Sequence, residues 1–348
     1  MNFWEKIEKP IFVLAPMADV TDPAFRRIIA KYSKYDGEDI FNEDGKFKKG
    51  FQKSGNLDAM WTEFVSADGI IHTKEKGLEK NYDKLMRNLL YSEAERPIVA
   101  QFFTSSPENM RKASKLAVEL GFDGVDINMG CPDRSVEKQK AGAVLIKNPE
   151  LAREIIRDAK KGAGRIPVSV KTRVGYNKDE IDTWIPELLS EEPAVLTIHS
   201  RTRKEMSKVP ADWKRVKRVV EIRDKMNSPT LILGNGDVLD IEDGKRRVKE
   251  SGADGIMLGR AIFGNPWLFN EEGRRKVSIE KRLFVMLEHT KLFEEILGDI
   301  KSFAIMKKHF KAYIEGWNGA KELRVKLMEC ENFKEVEKVV NNYLNFLS

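Results

Sequence analysis

Hydrophobic and polar positions along the chain alternate between short apolar runs and longer amphipathic stretches. Eight runs stand out: "IFVLAP", "AMWTEFV", "PIVAQFF", "GVDINMG", "PVSVKTR", "AVLTIHSRT", "TLILGNG" and "GIMLGR". Their Val, Ile and Leu positions are nearly continuous, the pattern of strands covered on both faces, as parallel sheets require. Helix signals fill the gaps. Ser106 is placed to cap a helix with Pro107 at its first position, and Asn148 with Pro149 does the same before "ELAREIIRDAKK", with Gly162 as the stop. Eight such units in about 270 residues predict an α/β fold of the (β/α)8 TIM-barrel type rather than an open doubly wound sheet.

Past about residue 274 the pattern is wholly helical, in "SIEKRLFVMLEHTKLFEEIL", "IKSFAIMKKHFKAYIEGW" and "GAKELRVKLMECENFKEVEKVVNNYLNFL". The organisation expected is therefore a barrel over residues 1–270 and a small helical bundle over 274–348. A polar, glycine-rich stretch at about 33–56 separates the first helix from the second strand, and reads as a surface excursion on the barrel's lower face.

Composition narrows the class. With 41% hydrophobic and 33% charged residues the chain has material for a core, and no apolar run approaches the ~20 residues that span a bilayer. A soluble protein with no membrane partner is expected. Charges inside the N-terminal "MNFWEKIEKPIFVLAP" argue against an export signal, so the expected location is cytoplasmic. Cys131 and Cys330 cannot build a disulfide framework and lack the spacing of a zinc site, so no metal is expected. The net charge of +6 permits an anionic partner, and its distribution says more. Seven Lys/Arg against two acids lie between Lys301 and Lys326, and Lys307, Lys308 and Lys311 share one side of a predicted helix.

Functional groups gather where the runs end. Pro16-Met17-Ala18 follow the first run and Thr62-Glu63 lie in the second; Gln101 lies in the third, and Asn128 to Cys131 follow the fourth. Lys171 and Arg173, His199 and Arg201, Asn235-Gly236-Asp237, and Gly259-Arg260 continue the series. In a barrel all of these face one rim, where catalytic groups converge. A lone cysteine is ordinarily inert packing, the reading given to Cys330; Cys131 differs by lying in the polar turn of "INMGCPDRSV". Asn235-Gly236-Asp237 alone would be an ordinary turn, but together with Gly259 and Arg260 it occupies the two loops where barrels bind phosphate. Lys171 and His199 are each as readily structural as functional, whereas jointly, at successive strand ends, they mark a site.

The ordered set "LAPMADVTDPAFRRI", "WTEFVSADG", "QFF", "DINMGCP", "VSVKTRVG", "IHSRTR", "ADW", "GNGDV" and "GIMLGRAIFGNPWLF" resembles the tRNA-dihydrouridine synthases, in particular their bacterial branch. The resemblance runs over nearly the whole chain. It implies an FMN-containing barrel followed by a helical domain, and reduction of the C5=C6 bond of particular tRNA uridines, with NADPH or NADH recharging the flavin. It also implies roles for single residues. Pro16, Met17 and Ala18 would meet the flavin ring, with Gln101, Lys171 and His199 at its polar edge. Asn235, Gly236, Asp237, Gly259 and Arg260 would hold its phosphate. Cys131 would donate the proton to C5, and Asn128 would position the uracil. Arg201 and Arg203 would reach substrate, and Lys307, Lys308 and Lys311 the tRNA backbone. A monomer acting on tRNA and not on DNA is expected. The sequence departs from the family pattern after "HSRTR", where Glu205-Met206-Ser207-Lys208-Val209-Pro210 stand, and in the stretch at 33–56.

Two other readings compete: a flavin barrel reducing a free pyrimidine or other small molecule, and an RNA-binding barrel without catalysis. The basic helical tail weighs against the first, and the set Cys131, Lys171 and His199 against the second.

Overall fold

The computed structural model describes residues 2–35, 40–42, 46–48, 50–270 and 277–347. All eight apolar runs form strands: β1 Ile11–Leu14, β2 Met60–Ser66, β3 Ile98–Phe103, β4 Gly124–Met129, β5 Val168–Arg173, β6 Val195–His199, β7 Leu231–Asn235 and β8 Gly255–Leu258. They pair in parallel in the order β1-β8-β7-β6-β5-β4-β3-β2. Between β1 and β2 the ring closes through a parallel bridge, Val13 with Ala59, and the hydrogen bonds Leu14 N–H to Ala59 O at 3.2 Å and Asp58 N–H to Phe12 O at 2.8 Å. The expected (β/α)8 barrel is present. Its strands are buried on both faces because helices cover the outside and side chains fill the inside. A short 3-10 turn, Phe3–Lys6, sets Trp4 among Val13, Trp61, Val99, Val195 and Leu233 as an apolar floor.

The chain divides into two compact units. The first comprises Met1–Ala18, Asp58–Leu89 and Arg96–Gly259, and contains every strand. In it Ser106 and Asn148 cap the helices Pro107–Glu119 and Pro149–Ala163, as their positions predict. The second of these helices does not stop at Gly162 but runs on to Gly164, whose φ of 60° ends it. Gly162 serves a different purpose: a Cβ there would lie 2.1 Å from the Arg111 carbonyl, so its bare backbone lets the two helices cross closely.

The second unit draws on three stretches, Asp19–Leu57, Leu90–Glu95 and Arg260–Ser348. Its helix Pro23–Ile29 is capped by Asp22 and continues into a π-helical turn, Ala30–Lys34. Arg26 in that helix is wholly buried. It pairs with buried Glu95 at 2.7 Å and donates to the carbonyls of Thr21 and Leu90. A buried charge held in this way is costly to unpair. Within the stretch at 33–56 the described residues include an antiparallel bridge between Phe41 and Phe47 and a buried Ile40; residues 36–39, 43–45 and 49 lie outside the described residues. The C-terminal helices are Ile279–Leu297, Ala304–Tyr313, Ala320–Glu329 and Phe333–Leu347. The last predicted helical stretch is thus two helices, broken where Cys330 turns to extended backbone. No helix among the described residues is long and apolar enough to cross a membrane.

Candidate active site

Cys131 stands two residues past the end of β4 on a turn held from several sides. Asn128 Oδ1 accepts the N–H groups of Gly130 and Cys131 at 3.1 and 2.9 Å. The Cys131 carbonyl accepts from Ala143 N–H at 2.9 Å, and Arg173 Nε donates to Gly130 O at 2.8 Å. The thiol is half-buried beside Phe64, Phe103, Val136 and Ala141. Burial pushes it above its ordinary range, and the Asp133 carboxylate adds to this. The Asp133 backbone N–H and the charges of Arg173 and Lys171 pull the other way, but burial wins. At neutral pH the group is therefore a thiol, able to give a proton rather than to attack.

Strand register places Lys171 beside Asn128, Arg173 beside His199, and His199 beside Asn235. Burial lowers Lys171 to about 8, helped by Arg173 and opposed by Asp126 and Cys131. His199 Nε2 lies 3.2 Å from Arg201 Nη1. A guanidinium only donates, so Nε2 accepts and the ring proton sits on Nδ1.

Asp126 is the residue that the motif reading passes over. It is buried on β4 two positions before Asn128, and alternation along the strand turns both side chains to the same face. Gln101 Nε2 donates to Asp126 Oδ2 at 2.6 Å and Ser169 Oγ to its Oδ1 at 2.5 Å. Burial raises its pKa to about 6 against those bonds and the Lys171 charge. A carboxyl in the interior run "GVDINMG" is itself the signal that could have found it, since burying one without partners is prohibitive.

The loops after β7 and β8 are built for close approach by backbone. Gly236 has φ +128°, and a Cβ there would meet Ala211 Cβ at 2.9 Å and Ser200 Oγ at 3.1 Å. Its carbonyl accepts from Trp213 Nε1 at 3.0 Å, which explains the "ADW" segment. Asn235 Nδ2 donates to Met257 O at 2.8 Å. Asp237, at φ 52°, takes Ala211 N–H at 2.8 Å and the Arg201 guanidinium on its carboxylate. Gly259 leaves room: a Cβ there would stand 3.6 Å from both Ala15 Cβ and Met17 Sδ. Pro16 and Met17 are half-buried and Ala18 is exposed.

The first unit thus gathers Cys131, Asn128, Gln101, Lys171 and His199 at the strand ends, together with the Pro16–Ala18 and Asn235–Asp237 segments and Gly259. Arg201 and Arg203 are there too, but engaged within the chain. Arg201 is buried against Asp237, His199 and the Val209 carbonyl, which it reaches at 2.7 Å; Arg203 pairs with both oxygens of Glu137, at 2.8 and 2.5 Å. Glu205, in the segment that departs from the family pattern, binds Thr202 N–H at 2.7 Å and Arg215 at 2.8 Å. Arg260 begins the second unit, in the short 3-10 turn Arg260–Ile262. Lys307, Lys308 and Lys311 lie on the helix Ala304–Tyr313 of that unit. Lys311 is exposed and the other two half-buried, and Met306, Phe310 and Tyr313 form its buried side.

A family model described as dihydrouridine synthase (Dus) matches residues 13–347. The chain belongs to the dihydrouridine synthase family. It is 37% identical over 345 residues to "Probable tRNA-dihydrouridine synthase 2" of Bacillus subtilis (strain 168), covering 98% of this chain and 96% of that protein. To a "Probable tRNA-dihydrouridine synthase" of Staphylococcus aureus (strain COL) it is 36% identical, covering 98% and 95%. Among solved structures, histamine dehydrogenase from Rhizobium sp. 4-9 aligns with a TM-score of 0.50 at 12% identity, over 82% of this chain and 49% of the other. The 6-hydroxypseudooxynicotine amine oxidase of Pseudomonas geniculata N1 aligns with a TM-score of 0.50, also at 12% identity, over 83% and 53%. This synthase spans about half the length of those two proteins, and at such identity the likeness concerns the fold alone.

Proposed function

We propose that this synthase uses FMN as its flavin and NADPH or NADH as reductant, and that Cys131 supplies the proton in its reaction. As a member of its family it is a flavin-dependent oxidoreductase that reduces uridine in tRNA to dihydrouridine. Reduction of a free pyrimidine is not favoured. The proposal takes the protein as a cytoplasmic monomer acting on tRNA and not on DNA.

One observation carries the chemical reading: a thiol kept protonated by burial, on a turn pinned by Asn128, on the strand next to Lys171. The residues fit a flavin. Lys171 would offer a cation to the negative edge of a reduced ring, with His199 on the next strand. A reduced flavin, when bound, would supply a hydride for uracil C6. Charge then accumulates on C5 and O4 of the base. Cys131 gives its S–H proton to C5 and is left as thiolate, to be reprotonated from solvent. Asn128 has one Nδ2 hydrogen left for a base carbonyl, since its Oδ1 is taken by two backbone N–H groups. The target uridine must leave any stack to reach this rim, at a cost of a few kcal/mol that is smallest in a loop. The direct test is to follow the absorbance of the reduced, purified protein on mixing with tRNA or with free uridine; the proposal requires fast reoxidation by tRNA alone.

Two further outcomes are expected. Gly236→Ala should cost roughly 1–3 kcal/mol through its backbone conformation and should retain less flavin, read as the ratio of flavin to protein absorbance; full occupancy would place the phosphate elsewhere. Lys307, Lys308 and Lys311 changed together to glutamine should leave flavin content and NADPH oxidation intact and weaken tRNA binding. If each makes one phosphate contact, the salt dependence of binding flattens by about two to three units. An unchanged slope with normal affinity would reduce this ridge to a solvated face.

A further inference from the structure

The hydrogen bonds around Cys131 form a chain with a direction. Backbone N–H groups only donate, so Asn128 must turn Oδ1 to Gly130 and Cys131, and its amide nitrogen to Gln101 Oε1, 3.1 Å away. Gln101 must then offer its own amide nitrogen onward, and the group that receives it is Asp126 Oδ2 at 2.6 Å. Asp126 and Gln101 are buried and Asn128 nearly so, so water is no substitute partner. Every link is satisfied only if residue 126 accepts.

We propose that Asp126 is a positioning residue for proton transfer, the terminal acceptor of an Asp126–Gln101–Asn128 chain that fixes where the Cys131 thiol stands. This rests on the reading of Cys131 as the proton donor. Ser169 provides a discriminating test. Its Oγ reaches both Asp126 Oδ1, at 2.5 Å, and Val125 O, at 3.2 Å. In Asp126→Asn the amide oxygen can still accept from Gln101 and the new NH2 can donate to Ser169 Oγ, whose hydrogen turns to Val125 O. The chain survives without the charge. In Asp126→Ala it has no end. Both variants take the Asp126 charge away from Lys171, so any defect of the lysine is common to them, and their difference reads the acceptor alone.

Single-turnover uridine reduction should be about ten- to a hundred-fold slower in Asp126→Ala than in Asp126→Asn, the scale of a small misplacement of reacting groups, with similar KM for tRNA. A second readout needs neither flavin nor tRNA: iodoacetamide alkylation of the Cys131 peptide against pH, followed by mass spectrometry. The charged groups facing the thiol are Asp133, Arg173 and Lys171, and all remain. The midpoint should stay high in Asp126→Asn and fall toward the ordinary thiol value in Asp126→Ala, as the thiol swings out of its buried seat. Gln101→Leu, which cuts the chain one link later, should copy the alanine profile. Equal rates and equal alkylation profiles in the alanine and asparagine variants would overturn the inference while leaving Cys131 as the donor. Wild-type reduction by Cys131→Ala would overturn both.

Discussion

Cys131→Ala should bind flavin and accept electrons from NADPH as the wild type does, yet reduce uridine in tRNA about 10²- to 10⁴-fold more slowly, the usual worth of a positioned general acid. The change is local. The side chain leaves a half-buried wall of Phe64, Phe103, Val136 and Ala141, while the turn itself is held by backbone bonds that alanine keeps. Folding should therefore change little and only the proton step suffer. The pH dependence sharpens this. An acid works while protonated, and burial holds this thiol above its ordinary value of 9.0. Uridine reduction should therefore persist into mildly alkaline solution and fall only beyond that value. Lys171 loses its charge near 8, so flavin reduction should weaken first as pH rises. Separate stopped-flow measurements of the two half-reactions between pH 6 and about 10 would expose a single shared limb if the assignment is wrong. Cys330→Ala, at a buried helix end in the other unit, should leave both half-reactions unchanged.

Acid should unfold the second unit well before ordinary carboxylate titration would. His289 and His309 are fully buried, 4.7 Å apart between ring centroids, with Phe25 against both rings and Phe263 on His309. Tyr313 OH lies 3.4 Å from His289 Nδ1; the other three imidazole nitrogens have no hydrogen-bond partner among the described residues. Burial holds His289 near 3 and His309 well below the ordinary 6.5, the latter with help from His289 and Lys308. The sign follows from proton binding. Below 6.5 the unfolded chain takes up protons that the folded unit refuses, so stability falls as pH falls through the window from 6.5 toward 3 and is undiminished above it. Each such histidine costs about 1.4 kcal/mol per pH unit, or about 4 kcal/mol for the two at pH 5. Against typical stabilities of about 5–15 kcal/mol that is a large fraction. Thermal melts of the whole protein at pH 7 and pH 5 should show the loss, and His309→Phe should remove about half of it. Equal melting temperatures at the two pH values would contradict the account.

The barrel was legible because its strands are covered on both faces, so that eight short apolar runs such as "TLILGNG" alternate with longer helical stretches. The strand-end residues were legible for a related reason, since polar groups directly after such runs have nowhere to go but the rim. The partners of Asp126 were not, because within "GVDINMG" a carboxyl signals that it must be paired but carries no mark of which groups donate to it. Nor did the pattern show that Arg201 and Arg203 spend their charges on Asp237 and Glu137, which lie 36 and 66 positions away along the chain. The grouping of the helix Pro23–Ile29 with the C-terminal helices was equally hidden, because an apolar stripe says that a face is covered and not by what.

That grouping bears on how the protein is made. Among the described residues Phe25 finds its ring partners, His289 and His309, on helices that begin at Ile279 and Ala304, so the early segment emerges from the ribosome before they exist. At about 5–20 residues per second, the wait for the last partner is on the order of tens of seconds, long enough for a chaperone to engage it. Arg26 finds Glu95 much sooner, which gives the waiting segment one fixed anchor. A copy ending at residue 270 would keep every strand of the barrel and wait indefinitely, and should be recovered bound to chaperones or aggregated rather than as a free flavoprotein.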